Sequence, residues 1–221
     1  MTYKFFITGT DTNIGKTYIS IGLIKKFQQS GFRTLGLKPI ASGGKIIDGK
    51  IYNEDALCLQ KHSSKNLDYD LINPFCFLPP ISPNIAAERV KLKLTVEDIY
   101  QKIYPTINGN YEVYIVEGVG GWKVPLNDQE TLADLVYKLN IPIILVIGIR
   151  LGCINHSILT YESILNKNLM LKGWVANCLG PTNLENDANI ETLKQYIKAP
   201  CLGVVGLNQQ PEEMLDITPL L

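Results

Sequence analysis

Nine residues near the start of the chain, Gly9-Thr10-Asp11-Thr12-Asn13-Ile14-Gly15-Lys16-Thr17, separate the apolar stretch Tyr3 to Ile7 from a segment whose apolar residues Ile19, Leu23, Ile24 and Phe27 recur at helical spacing. A glycine-rich turn between strand and helix brings backbone N–H groups round a phosphate. In such a loop Lys16 adds a point charge at the β/γ positions and the Thr17 hydroxyl can ligate magnesium. Five residues separate Gly9 from Gly15, so the loop is a longer variant of the GxxxxGK[ST] pattern. The rest of the reading depends on this nucleotide-binding loop.

With 221 residues and 46% apolar content the chain can bury one substantial core, and no Ser/Pro/Gly-rich linker divides it, so residues 1–221 are read as a single domain. Lys plus Arg equals Asp plus Glu, for a net charge of +0, which lacks the basic footprint of a general nucleic-acid binder. The five cysteines are widely spaced, with no CxxC pair and no histidine cluster to make a zinc site. No secretory leader precedes the first strand, and the longest apolar run, Ile141 to Ile149, is too short to span a bilayer. A cytoplasmic protein with no membrane or nucleic-acid partner is expected, and that run fits a central parallel strand buried on both faces.

Strand-like runs recur at Tyr3 to Thr8, Thr34 to Lys38, Val113 to Glu117, Pro142 to Ile147, Gly173 to Asn177 and Cys201 to Val205. Helical spacing appears at Lys16 to Gln29, Glu54 to Lys61, Val96 to Tyr104, Thr131 to Lys138, Ile154 to Leu165 and Ala188 to Ile197, the last preceded by the cap-capable Asn186 and Asp187. Such alternation predicts an α/β fold of the P-loop NTPase kind, a doubly wound, mostly parallel sheet with helices on both faces. Residues 41–83 read as loop-rich apart from the Glu54 helix, with turn signals at Gly43-Gly44, Asn73-Pro74 and Pro79-Pro80.

In an open α/β sheet ligands sit beyond the carboxyl ends of the strands, where Lys38, Glu117 and Asn177 fall. Lys38 is either a cation poised at the site or a solvated edge lysine, and spacing does not separate the two. Ser42 in Ala41-Ser42-Gly43-Gly44 reads first as a turn residue. Glu117 precedes Gly118-Val119-Gly120-Gly121, a turn that implies close backbone approach to a ligand, and its expected role is metal binding. Asp55 suits a first-turn helix residue and a magnesium site equally. The Asn177 amide can read an adenine edge, and Gly152-Cys153-Ile154-Asn155-His156 opens a helix whose free N–H groups can hold an anion.

Taken in order, the phosphate loop, Gly36-Leu37-Lys38-Pro39-Ile40-Ala41-Ser42-Gly43, Asn53-x-Asp55-Ala56-Leu57, Asn73-Pro74, Glu117-Gly118-Val119-Gly120-Gly121-Trp122, Leu151-Gly152-Cys153-Ile154-Asn155-His156 and Gly173-Trp174-Val175-Ala176-Asn177 resemble the dethiobiotin synthetases over most of the chain. The resemblance implies an ATP- and Mg2+-dependent ligase that joins carbon dioxide to 7,8-diaminononanoate and closes the ureido ring of dethiobiotin. It implies catalytic roles for Lys16 and Lys38, and metal ligands Thr17, Asp55 and Glu117. ATP contacts would come from Asn13, Ile14, Gly15, Lys16, Thr17, Tyr18, Asp55, Glu117, Gly118, Val119, Gly120 and Asn177. Thr12, Ser42, Gly152, Cys153, Ile154 and Asn155 would hold the substrate, the last four across a homodimer interface.

Two positions depart from the family pattern: Asn13, often glutamate there, and Gly206, often proline. A rival reading is a MinD/ParA-like positioning ATPase, but Thr10 stands where those proteins usually carry an additional lysine, and the tail Glu212-Glu213-Met214-Leu215-Asp216 is acidic rather than a basic membrane anchor. A third, an amidating synthetase of the cobyrinate type, calls for a glutamine-hydrolysing domain that a chain of this length does not accommodate.

Overall fold

The computed structural model describes residues 2–181 and 184–221. In chain order the elements are β1 (Tyr3–Gly9), α1 (Lys16–Gln29), β2 (Thr34–Leu37), β3 (Ile40–Ser42), β4 (Lys45–Ile47), β5 (Lys50–Tyr52), α2 (Glu54–His62), α3 (Tyr69–Ile72), β6 (Phe75–Phe77), α4 (Pro83–Arg89), α5 (Val96–Ile107) and β7 (Val113–Glu117). They continue with α6 (Leu132–Leu139), β8 (Ile143–Ile149), α7 (Cys153–Asn166), β9 (Leu171–Cys178), α8 (Leu184–Tyr196), β10 (Cys201–Val205) and α9 (Pro211–Met214). Six strands form one sheet in the order β10-β9-β8-β1-β7-β2, and every neighbouring pair is parallel.

Strand alternation divides the apolar residues between two cores. Phe5, Ile7, Val113, Ile115, Ile144 and Val146 face α1, α2 and the segment after α9, where Ile19, Leu23, Phe27, Leu59, Leu215, Ile217 and Leu220 complete one cluster. Phe6, Tyr114, Val116, Leu145, Ile147 and Trp174 meet Ile99 and Ile103 of α5, Leu135 and Val136 of α6, Ile164 of α7 and Leu193 of α8 on the other face. Strand β8 is buried along its whole length, as an apolar run in the middle of a parallel sheet requires. The predicted doubly wound sheet is thus the observed one. Among the described residues no helix is long and apolar enough to cross a membrane.

Boundaries differ from the sequence reading where a local signal has a second meaning. Helix α8 begins at Leu184, so Asn186 and Asp187 lie in its first turn rather than ahead of it. Both residue types suit caps and first turns, because each offers a carboxylate or amide to the helix's exposed N–H groups. Thr131 caps α6 through a reciprocal box with Asp134 instead of belonging to it. Helix α5 continues past Pro105 to Ile107, where burial of Ile107 outweighs the single N–H that the proline lacks.

The segment read as loop-rich holds short elements that pair with distant residues. β3 pairs in parallel with β6, and β4 and β5 form a hairpin around Asp48 and Gly49, both at positive φ, the geometry of a tight two-residue turn. At the far end of the chain, α9 lies against α1: a Cβ on Gly22 would collide with Pro211, Lys25 pairs with Glu212 at 2.8 Å, and the Tyr18 hydroxyl donates to the Gln209 carbonyl. The acidic tail is therefore packed onto the helix that follows the phosphate loop.

Candidate active site

The phosphate loop leaves the carboxyl end of β1, with β7 and β2 on one side and β8 to β10 on the other. It is pinned from several directions. Thr10 N–H donates to Val146 O at 3.2 Å, Thr12 N–H to Asp11 Oδ1 at 2.7 Å, and Asn177 Nδ2 to Ile14 O at 2.8 Å. Ile14 is 1% exposed, its side chain lying against Gly9 and Gly148. Gly15, at φ 86, starts α1 with no side-chain cap, which leaves the first-turn N–H groups for a ligand. A Cβ there would collide with the Asn177 amide, so glycine is required both by φ and by space. Asn13 also takes positive φ, which asparagine adopts more readily than glutamate does.

Lys38 and Glu117 meet beside this loop. Lys38 follows β2 and Glu117 ends β7, and the parallel pairing of those strands delivers both side chains to the same end of the sheet. Lys38 Nζ lies 2.6 Å from Glu117 Oε1, 3.2 Å from Asp55 Oδ2 and 3.2 Å from Gly118 O. Thr17 Oγ1 donates to the same Glu117 oxygen at 2.7 Å. Asn53 caps α2, its side chain accepting from Ala56 N–H at 3.2 Å, and so presents Asp55 from the first turn. Lys38 is 4% exposed and Glu117 0%; the alternative of a solvated edge lysine is ruled out by this burial.

The two lysines have different electrostatic settings. Burial works against the Lys38 charge, but the carboxylates of Glu117 and Asp55 outweigh it, and the net shift of its pKa is upward. Lys16 donates to the Asp11 carbonyl at 2.8 Å. Burial pushes its pKa down to about 8, and the charge of Lys38 pushes the same way against the pull of Glu117, Asp55 and Asp11. In the free protein Lys16 is therefore protonated below about pH 8 and loses its proton above it. ATP affinity should weaken as pH rises through that value, with a slope approaching ~1 in log Kd per pH unit. Calorimetric titrations from neutral to alkaline pH test this, and Lys16→Arg should abolish the slope.

These residues border a cleft of about 750 Å³. Thr12, Asn13, Gly15, Lys16, Thr17, Lys38, Ser42, Asp55, Glu117, Val119 and Gly120 all line it. Ser42 differs from its reading as a turn residue: its hydroxyl is buried without a protein partner and belongs to the cleft wall. Ile14, Tyr18, Gly118 and Asn177 stand behind or beside the loop. Gly152 to Asn155 do not reach this cleft within one chain. Of the helix-start N–H groups there, that of Cys153 is already spent on the Arg150 carbonyl at 3.0 Å, and the Cys153 side chain is buried.

The sequence reading leaves out part of the cleft. Asn53, Gly121, Val124 and the run Pro80-Ile81-Ser82-Pro83 also line it; Asn53 and Gly121 stand in motifs named above without a site role of their own, and the Pro79-Pro80 turn signal was the hint at the last run. Asp11 forms an ion pair with Arg150, tying the loop to the start of α7. Gly206 N–H donates to Gln209 Oε1 at 2.7 Å, a bond that the proline common at this position could not make.

Thr17, Asp55 and Glu117 form an all-oxygen donor set with two carboxylates, the kind that suits magnesium when phosphates and waters complete the shell. Glu117 Oε2 is buried with no hydrogen-bond partner, so the residues fit a hard cation. No cluster of three or more His, Cys, Asp or Glu side chains suited to a metal occurs among the described residues.

An AAA-domain family matches residues 3–214. Over 222 residues the chain is 44% identical to the ATP-dependent dethiobiotin synthetase of Cellvibrio japonicus, covering 98% of this chain and 97% of that one. The corresponding protein of Pseudomonas aeruginosa is 42% identical over 221 residues, covering 98% and 97%. That of Aeromonas hydrophila is 39% identical with full coverage of both chains. Among solved structures, the septum site-determining protein MinD from Pyrococcus horikoshii, complexed with Mg-ADP, superposes with a TM-score of 0.57 at 14% identity, covering 96% of this chain and 86% of that one. The signal recognition particle receptor FtsY of Elizabethkingia anophelis, in complex with GDP, gives 0.56 at 10% identity, covering 100% and 61%. Those two likenesses establish the P-loop NTPase fold, whereas identity near 40% over whole chains, carried on a built phosphate-loop cleft, establishes more: the chain belongs to the ATP-dependent dethiobiotin synthetases, ligases of biotin synthesis.

Proposed function

We propose that the chain joins carbon dioxide to 7,8-diaminononanoate at the expense of ATP, giving dethiobiotin, ADP and phosphate. The observation that carries this reading is the pair of buried lysines, Lys16 and Lys38, on one phosphate-loop cleft. One amine of the substrate takes up carbon dioxide as a carbamate, and a carbamate oxygen attacks the γ-phosphorus as ADP departs. The second amine then attacks the carbonyl carbon of the mixed anhydride, and phosphate leaves as the ring closes. None of these steps needs a protein nucleophile; each needs reactants held in line and negative charge offset as it moves.

Lys16 would follow the charge on the γ-phosphate and Lys38 the charge on the carbamate. Thr12 and the unpartnered Ser42 hydroxyl would orient the diamine end and the carbamate. Thr17, Asp55 and Glu117 would hold magnesium, which when bound offsets charge on the phosphate oxygens. Asn177 would contact adenine from the far side of the loop. The apolar side chains of Pro80, Ile81, Pro83, Val119 and Val124 suit the hydrocarbon chain of the substrate.

The remote carboxylate would meet Gly152, Ile154 and Asn155 of a second subunit in a homodimer. The exposure of Leu151, Leu159 and Leu165 at and along α7 supports an interface there. No membrane or nucleic-acid partner is proposed, and a cytoplasmic location accords with that.

The test is phosphate release from ATP with magnesium and bicarbonate, with and without the diamine, and product mass from the same reaction. Release that depends on the diamine and matches dethiobiotin formed is the expected outcome. Hydrolysis indifferent to the diamine would instead favour a nucleotide-switched ATPase.

A further inference from the structure

The residues assigned above to magnesium already surround a cation. Lys38 Nζ contacts Glu117 Oε1, Asp55 Oδ2 and Gly118 O, and Thr17 Oγ1 shares the same Glu117 oxygen. One ammonium thus contacts both carboxylates of the proposed metal set and shares a Glu117 oxygen with its hydroxyl. It cannot remain there and also reach a carbamate while magnesium occupies those oxygens. The Lys38 backbone is fixed, its N–H donating to Ile72 O at 2.9 Å and its carbonyl accepting from Asn73 Nδ2 at 2.5 Å, so any departure is a rotation of the side chain alone. Lys16 is different, since its ammonium rests on a neutral backbone carbonyl and leaves no carboxylate uncompensated when it turns to a phosphate.

We propose that Lys38 is an internal placeholder for the divalent cation. In the nucleotide-free protein its ammonium neutralises Glu117 and Asp55; arrival of the metal on those carboxylates takes over the neutralisation and frees the side chain to swing to the reacting carbamate. Loading the metal is then the event that arms the lysine, and a site without metal keeps Lys38 withdrawn. The inference rests on the magnesium reading above and adds a competition between metal and lysine for the same oxygens.

Mn2+ binding to the nucleotide-free protein, followed by the loss of the free-ion paramagnetic resonance signal at mildly alkaline pH, tests it. Lys38→Met should bind Mn2+ at least about tenfold more tightly than the parent, while Lys38→Arg, which keeps the charge, should bind as weakly as the parent. Equal affinity of Lys38→Met and parent would overturn the placeholder. Glu117→Gln separates that failure from failure of the metal reading: if it abolishes Mn2+-dependent ATP binding, the metal site stands even where the placeholder falls. If it leaves that binding untouched, both fall.

Should Lys38→Met fold poorly, reductive methylation of the wild-type protein read by mass spectrometry answers the same question. Lys38, protected in the metal-free protein, should become severalfold more reactive when Mn2+ is added. Unchanged protection at saturating Mn2+ would contradict its release.

Discussion

Replacing Lys38 with methionine is expected to lower the free energy of unfolding of the metal-free protein by about 3–5 kcal/mol. Methionine fills the same space without the charge, leaving the fully buried Glu117 with the Thr17 hydroxyl on one oxygen and nothing on the other. A loss of that size is a large share of the ~5–15 kcal/mol that holds a typical domain together. Urea denaturation at neutral pH measures it, and adding Glu117→Gln to the variant should restore much of the loss, because the stranded charge is then gone. The exposed pair Lys138–Glu97 is the internal control: Lys138→Met should leave stability nearly unchanged. A Lys38 variant as mild as the Lys138 one would show that the buried pair contributes nothing.

Lys16→Ala should have the opposite profile. Turnover measured as kcat/KM for ATP should fall by about 10²–10³, the loss typical of one charge-stabilising donor in a preorganised site, or roughly 2.7–4 kcal/mol. Stability should be nearly unchanged, because the Lys16 ammonium satisfies a backbone carbonyl and its burial already works against its charge. Steady-state kinetics beside denaturation curves separate the two lysines: one variant loses catalysis on an intact fold, the other loses both. Full activity in Lys16→Ala, or a stability drop like that of Lys38→Met, would contradict this assignment.

Legibility in the sequence followed the range of the forces involved. Strand β1, the loop and α1 were readable because an apolar run, a glycine turn and a helical stripe lie within thirty or so residues of one another, and the ends of β7 and α1 matched the reading to the residue. The convergence of Lys38 and Glu117 followed from the general rule for parallel sheets, although their direct contact did not. Residues 75–83 were opaque for the converse reason. β6 is three residues long, too short to carry a period, and exists because Ile40 to Ser42 arrive alongside it. The Pro80 to Pro83 wall is placed by that pairing, so it looked like a turn and no more. Asp11 and Arg150 are far apart in sequence, and an exposed ion pair between two loops leaves no pattern in either.

The seal that α9 and Leu215, Ile217 and Leu220 place over α1 has a consequence for synthesis of the chain. Chains emerge from the ribosome N-terminus first, so α1 can lay its apolar stripe on β1 early, while the face that meets Pro211 and Glu212 waits for residues more than 180 positions later to cover it. Throughout that interval the outer face of the helix, around Tyr18, Gly22 and Lys25, lacks its last packing partner. Premature termination ahead of α9 would remove the cover and leave the nucleotide loop on an unsealed base.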